Sequence, residues 1–251
     1  MEKDFDNIIK KFYEINKKGY IKGVNENINN SCGLTLEYLL KKKPDSLFFP
    51  DYNNIEIKTT QRFSHYPVSL FSIAFDGPEA FESNALLEKY GKNDNVFKNK
   101  KILITNLKCN HKILVNNKYY FELVIDYNNE RLAINIYDKN ETFLEQRAYI
   151  DFNTLKNRLE IKFKKLALIY ASKKKETDGL YFRYYKIQCF ILKEFDTFLN
   201  LMGKNIIRTS LQLRITRTGT TAGQQKNKTI IFQINKCDID KLFTKVYEYE
   251  K

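Results

Sequence analysis

From Asn54 to Thr60 the chain alternates polar and apolar, with Ile55 and Ile57 on one side and Glu56 and Lys58 on the other. A period of two is that of a strand with one buried face. Elsewhere the period is helical. Phe5, Ile8, Ile9, Phe12 and Ile15 predict a helix over 4–16, ended by Lys17-Lys18-Gly19. A shorter helix is predicted over 34–42, with Leu36, Leu39 and Leu40 inward and Glu37 free to turn toward a neighbouring site. Helices are also predicted over 79–90, 154–163 and 195–202, and a closing one over 238–247. Strands are expected at 68–75 (broken by Gly77-Pro78), 102–107, 119–126, 131–137, 142–150, 166–171, 181–192, 206–216 and 229–234. The segment Lys173–Gly179 reads as a charged loop. The fold class is therefore α/β, in the sense of α+β with a mixed sheet.

Composition adds a partner. With 43% hydrophobic residues, 17 Tyr and 19 Phe in 251 residues, the chain has the material for a substantial core. No run approaches the roughly 18 apolar residues of a membrane span, and Met1-Glu2-Lys3-Asp4 lacks the apolar region of a signal peptide. A soluble, cytoplasmic protein with no membrane partner is expected. The net charge of +13 fits a polyanion. Nucleic acid comes before an acidic membrane surface, because no basic amphipathic segment stands out. Cys32, Cys109, Cys189 and Cys237 are isolated, and Cys109-x-His111 alone cannot complete a zinc site.

Candidate chemistry returns the reading to residues 51–58. On a strand Glu56 and Lys58 project side by side, roughly 6.6–7 Å apart. Asp51 follows Pro50, and the polar Asn53-Asn54 pair is suited to a turn that brings it back beside Glu56. Two carboxylates next to an ammonium suit a hard divalent cation and metal-assisted phosphodiester hydrolysis, with Lys58 orienting or deprotonating the water or stabilising charge on phosphorus. The segment Leu159-Glu160-Ile161-Lys162-Phe163 repeats the Glu-x-Lys spacing, but Leu155, Leu159 and Phe163 place it on a helix. Two residues there are about 200° apart, so Glu160 and Lys162 cannot share a metal.

The order helix (34–42), strands (48–58 and 68–75), helix (154–163), strand (166–171) resembles the core of the PD-(D/E)xK nucleases. Closer still, Gly33-Leu34-Thr35-Leu36-Glu37-Tyr38-Leu39-Leu40, Pro50-Asp51 and Ile55-Glu56-Ile57-Lys58-Thr59 resemble the MvaI/BcnI group of type II restriction endonucleases, to which the mismatch-repair nicking enzyme MutH is related. The likeness continues through Leu87–Gly91, 155–172 and the hairpin ending Phe232-Gln233-Ile234-Asn235. The resemblance implies Mg²⁺-dependent cleavage (Mn²⁺ substituting) of double-stranded DNA by a monomer that clasps the duplex between two lobes. A cognate DNA methyltransferase would belong to the same system. Asp51 and Glu56 would hold the metal, Lys58 would serve the water, and Glu37 would be the auxiliary helix carboxylate. The catalytic lobe would comprise 1–78 and 152–176, and the DNA-recognition lobe 79–151 and 177–251. The lining of the recognition hairpin would be Gln212, Arg214, Arg217, Lys226, Lys228 and Gln233. Gln212 and Gln233 stand where the family leads one to expect arginines facing guanine.

Two other readings fit the same residues: a MutH-like nickase activated by a partner, and a non-catalytic DNA-binding module. All three require DNA, and the charge alone generates a test. Non-specific duplex binding should weaken linearly in log salt, since each phosphate neutralised releases a counterion. Affinity titrations between roughly 50 and 200 mM salt check this, and a flat response would remove DNA as the partner.

Overall fold

A computed structural model describes residues 3–25, 30–41, 50–52, 54–76 and 79–251, with the side chains of 3–4, 79–81 and 226–228 outside that description. The chain divides into two compact units, one made of Met1–Val68, Arg158–Glu194 and Lys236–Lys251, the other of Ser69–Asn157 and Phe195–Asn235.

The first unit carries α1 (Lys3–Lys17), β1 (Ile21–Lys22), α2 (Ser31–Leu39) and β2 (Glu56–Gln61). The second opens with β3 (Val68–Ile73), α3 (Glu79–Tyr90), β4 (Lys92–Asn93) and β5 (Lys101–Leu107). It continues through β6 (Ile113–Val115), β7 (Tyr119–Asp126), β8 (Arg131–Tyr137) and β9 (Phe143–Asp151). Helix α4 (Phe152–Phe163) contains the division between units. Strands β10 (Lys165–Glu176) and β11 (Gly179–Leu192) belong to the first unit; α5 (Phe195–Gly203), β12 (Ile207–Ile215) and β13 (Gln225–Ile234) belong to the second. A 3₁₀ turn (Lys236–Asp238), α6 (Ile239–Leu242) and β14 (Phe243–Glu250) return to the first.

The first unit is built on one mixed sheet, in the order β1-β11-β10-β2, with β14 also paired to β11. Only β2 runs parallel to its neighbour, with Glu56 opposite Leu166 and Lys58 opposite Leu168. One face of this sheet packs Ile55, Ile57, Ala167, Ile169 and Phe182 against Phe5, Ile8 and Phe12 of α1 and Leu36 of α2. Tyr184 ties these layers together: its hydroxyl donates to the Cys32 carbonyl at 2.7 Å, and its own carbonyl accepts from Asn16 Nδ2 at 2.8 Å. The opposite face carries Glu56, Leu166 and Leu168, all buried. Strand β2 is thus covered on both faces, where the sequence predicts one.

The second unit holds two sheets, β3-β13-β12-β5-β4, antiparallel from β13 to β4, and the antiparallel β6-β7-β8-β9. Phe198 of α5 packs against Phe71 and Phe232 beneath the first of them.

Several sequence expectations are corrected. Of the helix expected over 238–247 only Ile239–Leu242 is α-helical; from Phe243 the chain is strand, forming β14 to Glu250, because β11 offers an unpaired edge and Phe243, Thr244, Val246, Tyr247 and Tyr249 suit a pleated surface. The expected charged loop is strand up to Glu176, since β10 and β11 stay paired to a tight turn at Gly179, whose φ is 139°. The compact units are bounded differently from the expected lobes: 177–194 and 236–251 lie in the first unit, and 69–78 and 152–157 in the second. The Gly77-Pro78 break lies outside the described residues.

Candidate active site

The turn before β2 builds the site. Tyr52 and Ile55 exchange backbone hydrogen bonds of 3.0 and 2.8 Å across it, and Asn54 takes a positive φ of 64°, a conformation asparagine tolerates better than most residues. Asn53 lies outside the described residues. The reversal returns Asp51 to the edge of β2, where its Oδ2 accepts the Ile57 N–H at 3.1 Å. An edge strand has backbone groups with no ladder partner, and Asp51 satisfies one of them.

Glu56 is fully buried, at 0% exposure, and neither carboxylate oxygen accepts a hydrogen bond of regular geometry. Lys58 Nζ nevertheless lies 2.6 Å from Oε1 as an ion pair, and that lysine is 27% exposed. Burial raises the Glu56 pKa; Lys58 opposes the shift, and the neighbouring Asp51 charge adds to it. Two acidic groups are therefore close enough to feel each other, as the strand and turn predict.

Helix α4 contributes what the sequence reading missed. Lys162 Nζ lies 3.6 Å from Glu56 Oε1, and Arg158, one helical turn earlier, also interacts electrostatically with Glu56. Positions i and i+4 share a helix face. Arg158 and Lys162 form the ridge beside the buried stripe of Leu155, Leu159 and Phe163, while Glu160 is exposed. Glu160 and Lys162 do face apart, as predicted, yet the lysine reaches the site on its own. An Arg-x-x-x-Lys pair flanking an apolar stripe was the available signal. Phe163 adds an aromatic face 5.8 Å from the Lys58 ammonium.

Glu37 sits half-buried on α2, which packs on β2. Among the described residues no group of three or more His, Cys, Asp and Glu side chains could hold a metal. The candidate donor set is the pair of carboxylates that the turn brings together, Asp51 and Glu56. It fits a hard divalent cation: a two-carboxylate set suffices when substrate phosphate and water complete the shell, and the buried Glu56 Oε2 has no hydrogen-bond donor of its own.

The predicted DNA-binding residues lie in the second unit. On β12, Leu211, Leu213 and Ile215 are buried toward the core, as their alternation predicts. On the other face Gln212 is itself buried; its amide donates to Ser210 Oγ, and its Oε1 accepts from Arg214 Nε. Arg214 is exposed. Gln233 on β13 is half-buried and stands opposite Arg208, an exposed residue the sequence reading did not single out. Arg217 forms a two-pronged pair with the buried Asp94 carboxylate, which also accepts the Val96 and Phe97 N–H groups. Those bonds hold the Asp94 pKa well below the carboxylate range. The side chains of Lys226 and Lys228 lie outside the described residues.

A sequence model of the MvaI/BcnI restriction endonuclease family matches residues 9–243. The chain belongs to that family. It is a type II, site-specific deoxyribonuclease, and the nicking and non-catalytic readings give way. Restriction endonuclease MvaI, solved as a complex with its cognate DNA substrate, is 23% identical with a TM-score of 0.87, covering 100% of this chain and 99% of that one. MvaI solved in the absence of DNA is 21% identical with a TM-score of 0.61, covering 98% of each chain. These two likenesses show that the chain shares the fold of restriction endonuclease MvaI. No curated protein matches the sequence significantly. The family depends on divalent metal. No helix among the described residues is long and apolar enough to cross a membrane.

The Glu56 environment has a pH signature. Its folded-state pKa lies above the ordinary glutamate value of 4.5, so between the two the folded chain holds a proton that the unfolded chain has lost. Stability contributed by this group therefore falls as pH rises through that window, and the deficit is complete above the folded value. Metal-free Glu56→Gln protein should melt higher than wild type near neutral pH, with the gap closing as pH falls toward 4.5. Calorimetric melts in chelator across that range check this; a variant that melts lower than wild type near neutral pH would show the buried charge to be net stabilising.

Proposed function

We propose that Asp51 and Glu56 hold Mg²⁺, with Mn²⁺ able to substitute, at the edge of β2, and that double-stranded DNA is cut there. The observation that carries this reading is the Asp51–Ile57 hydrogen bond, which folds one carboxylate back beside the other and beside Lys58. When bound, the ion supplies a Lewis acid for the phosphoryl oxygens and a lowered pKa for water. The chain's own groups do the rest. The Lys58 ammonium orients the attacking water or takes up charge as it develops on phosphorus. Lys162 and Arg158 steady Glu56 as an anion. Glu37 is the auxiliary carboxylate from α2. Asp51→Ala and Lys58→Ala should each lower cleavage by at least about 10²–10³-fold, the size of effect seen on removing one transition-state donor. Glu160→Ala should cut like wild type. Plasmid digestion with Mg²⁺ and mapping of the ends checks all three, and an active Lys58→Ala enzyme beside a dead Glu160→Ala one would show that the wrong segment was chosen.

In the same reading the first unit is the catalytic lobe and the second carries recognition. The enzyme works as a monomer in the cytoplasm, where its substrate is, and a cognate methyltransferase protects the host's own sites. Arg214 and Gln233 are the readers: arginine pairs with guanine O6 and N7, glutamine with adenine N6 and N7. Gln212, bonded to both Ser210 and Arg214, sets the Arg214 guanidinium. Arg217 fixes its loop through Asp94, and Lys226 and Lys228 meet phosphates. Gln233→Ala should relax preference at an A·T pair and Arg214→Ala at a G·C pair, each by about 1–3 kcal/mol, with Gln212→Ala acting at the Arg214 base pair. Cleavage of a randomised-site library by each variant checks this; unchanged preference returns that residue to a structural role.

A further inference from the structure

Immediately after the strand that carries Glu56 and Lys58, the chain does something costly. Phe63 and Tyr66 are each 83% exposed, two large rings in water within four residues. Single exposed apolar residues are ordinary, but an ordered pair is not. Backbone hydrogen bonds fix the turn that presents them: Arg62 N–H donates to the Ala171 carbonyl at 2.9 Å, and Ser64 N–H to the Gln61 carbonyl at 3.1 Å. The Ser64 hydroxyl oxygen accepts the Tyr66 N–H at 3.2 Å.

Cations predominate around the turn, the acidic neighbour of Tyr185 being Glu250, which is paired with Lys186. The Arg62 guanidinium lies 5.5 Å from the Phe63 ring centroid and 5.8 Å from that of Tyr185. Strand β10, paired with β2 as far as Ala171 and Gln61, runs on in the same direction into exposed Lys173, Lys174 and Lys175. Aromatic rings set among cations on a hydrogen-bonded turn are the makings of a nucleic-acid contact, the rings stacking on bases of any sequence and the cations meeting phosphates. Phe63 lies five residues beyond Lys58, hence at most about 17 Å along an extended chain. At 3.4 Å per nucleotide this is about five base pairs.

We propose that the Arg62–Tyr66 turn is a DNA wedge. Phe63 and Tyr66 enter the minor groove within about five base pairs of the cut phosphate and part a base step, as apolar side chains inserted from that groove do. Arg62, Lys173 and Lys175 hold the flanking phosphates. The wedge adds grip without reading sequence, and it rests on Asp51, Glu56 and Lys58 being the cleavage site.

The test uses full-length, metal-free protein and duplexes carrying 2-aminopurine at successive positions through the mapped site. Wild type should raise the fluorescence at one step near the cut. The Phe63→Ala/Tyr66→Ala variant should lose that signal and bind duplex about 10-fold more weakly with unchanged site preference. Phe63→Leu, an apolar wedge without a ring, should keep the signal. Equal fluorescence and affinity in wild type and the double variant would overturn the wedge alone. So would a double variant whose only change is in self-association, since the rings would then cover protein. A wild type that does not bind duplex, and does not cut it once Mg²⁺ is added back, would overturn the cleavage-site reading instead. Both rings are exposed, so matched melting curves are expected and would confirm that the fold is intact.

Discussion

A carboxylate with no regular hydrogen bond, buried between a sheet and a helix, is the constraint around which the first unit is arranged. Glu56 on β2 would be untenable as an isolated charge in an apolar interior. The surrounding elements supply cations to it: Lys58 from the same strand, and Lys162 and Arg158 from α4. Burial still outweighs these neighbours and leaves its pKa raised. A carboxylate that the protein desolvates but only partly compensates is what the proposed metal site draws on. The sheet holds it there through the parallel pairing of β2 with β10, which places Glu56 beside Leu166 and Lys58 beside Leu168.

The local code for this site was legible. Alternation from Asn54 to Thr60 placed Glu56 and Lys58 on one face, and Pro50 with the Asn pair pointed to the turn that returns Asp51. What was not legible was the cover. Nothing in the period of β2 distinguishes a polar face toward water from one toward a helix, so the complete burial of Glu56 and the approach of Lys162 depended on how α4 packs. The rejected Glu-x-Lys segment shows the same limit: helical geometry rightly separated Glu160 from Lys162, but says nothing about where each goes afterwards.

Pairing partners decide the larger departures from the sequence pattern too. Residues 243–250 have a mixed pattern that a helix or a strand could use, and the open edge of β11 decides for the strand. Lys173–Glu176 looks like solvent-facing loop because it is charged, yet the β10–β11 ladder carries it as strand. On β12 the alternation was read correctly. Its polar face was not simply wet, since Ser210, Gln212 and Arg214 bond to one another along it.

The interleaving of the two units has a consequence for synthesis. The unit bearing Glu56 and Lys58 takes its last strand from residues 243–250, after every residue of the other unit. A ribosome making this chain finishes the second unit's sequence before it supplies β14. The sheet that carries Glu56 and Lys58 is thus completed only after the second unit's residues have been made, and a nascent chain cut short before Phe243 has no β14 to pair with β11.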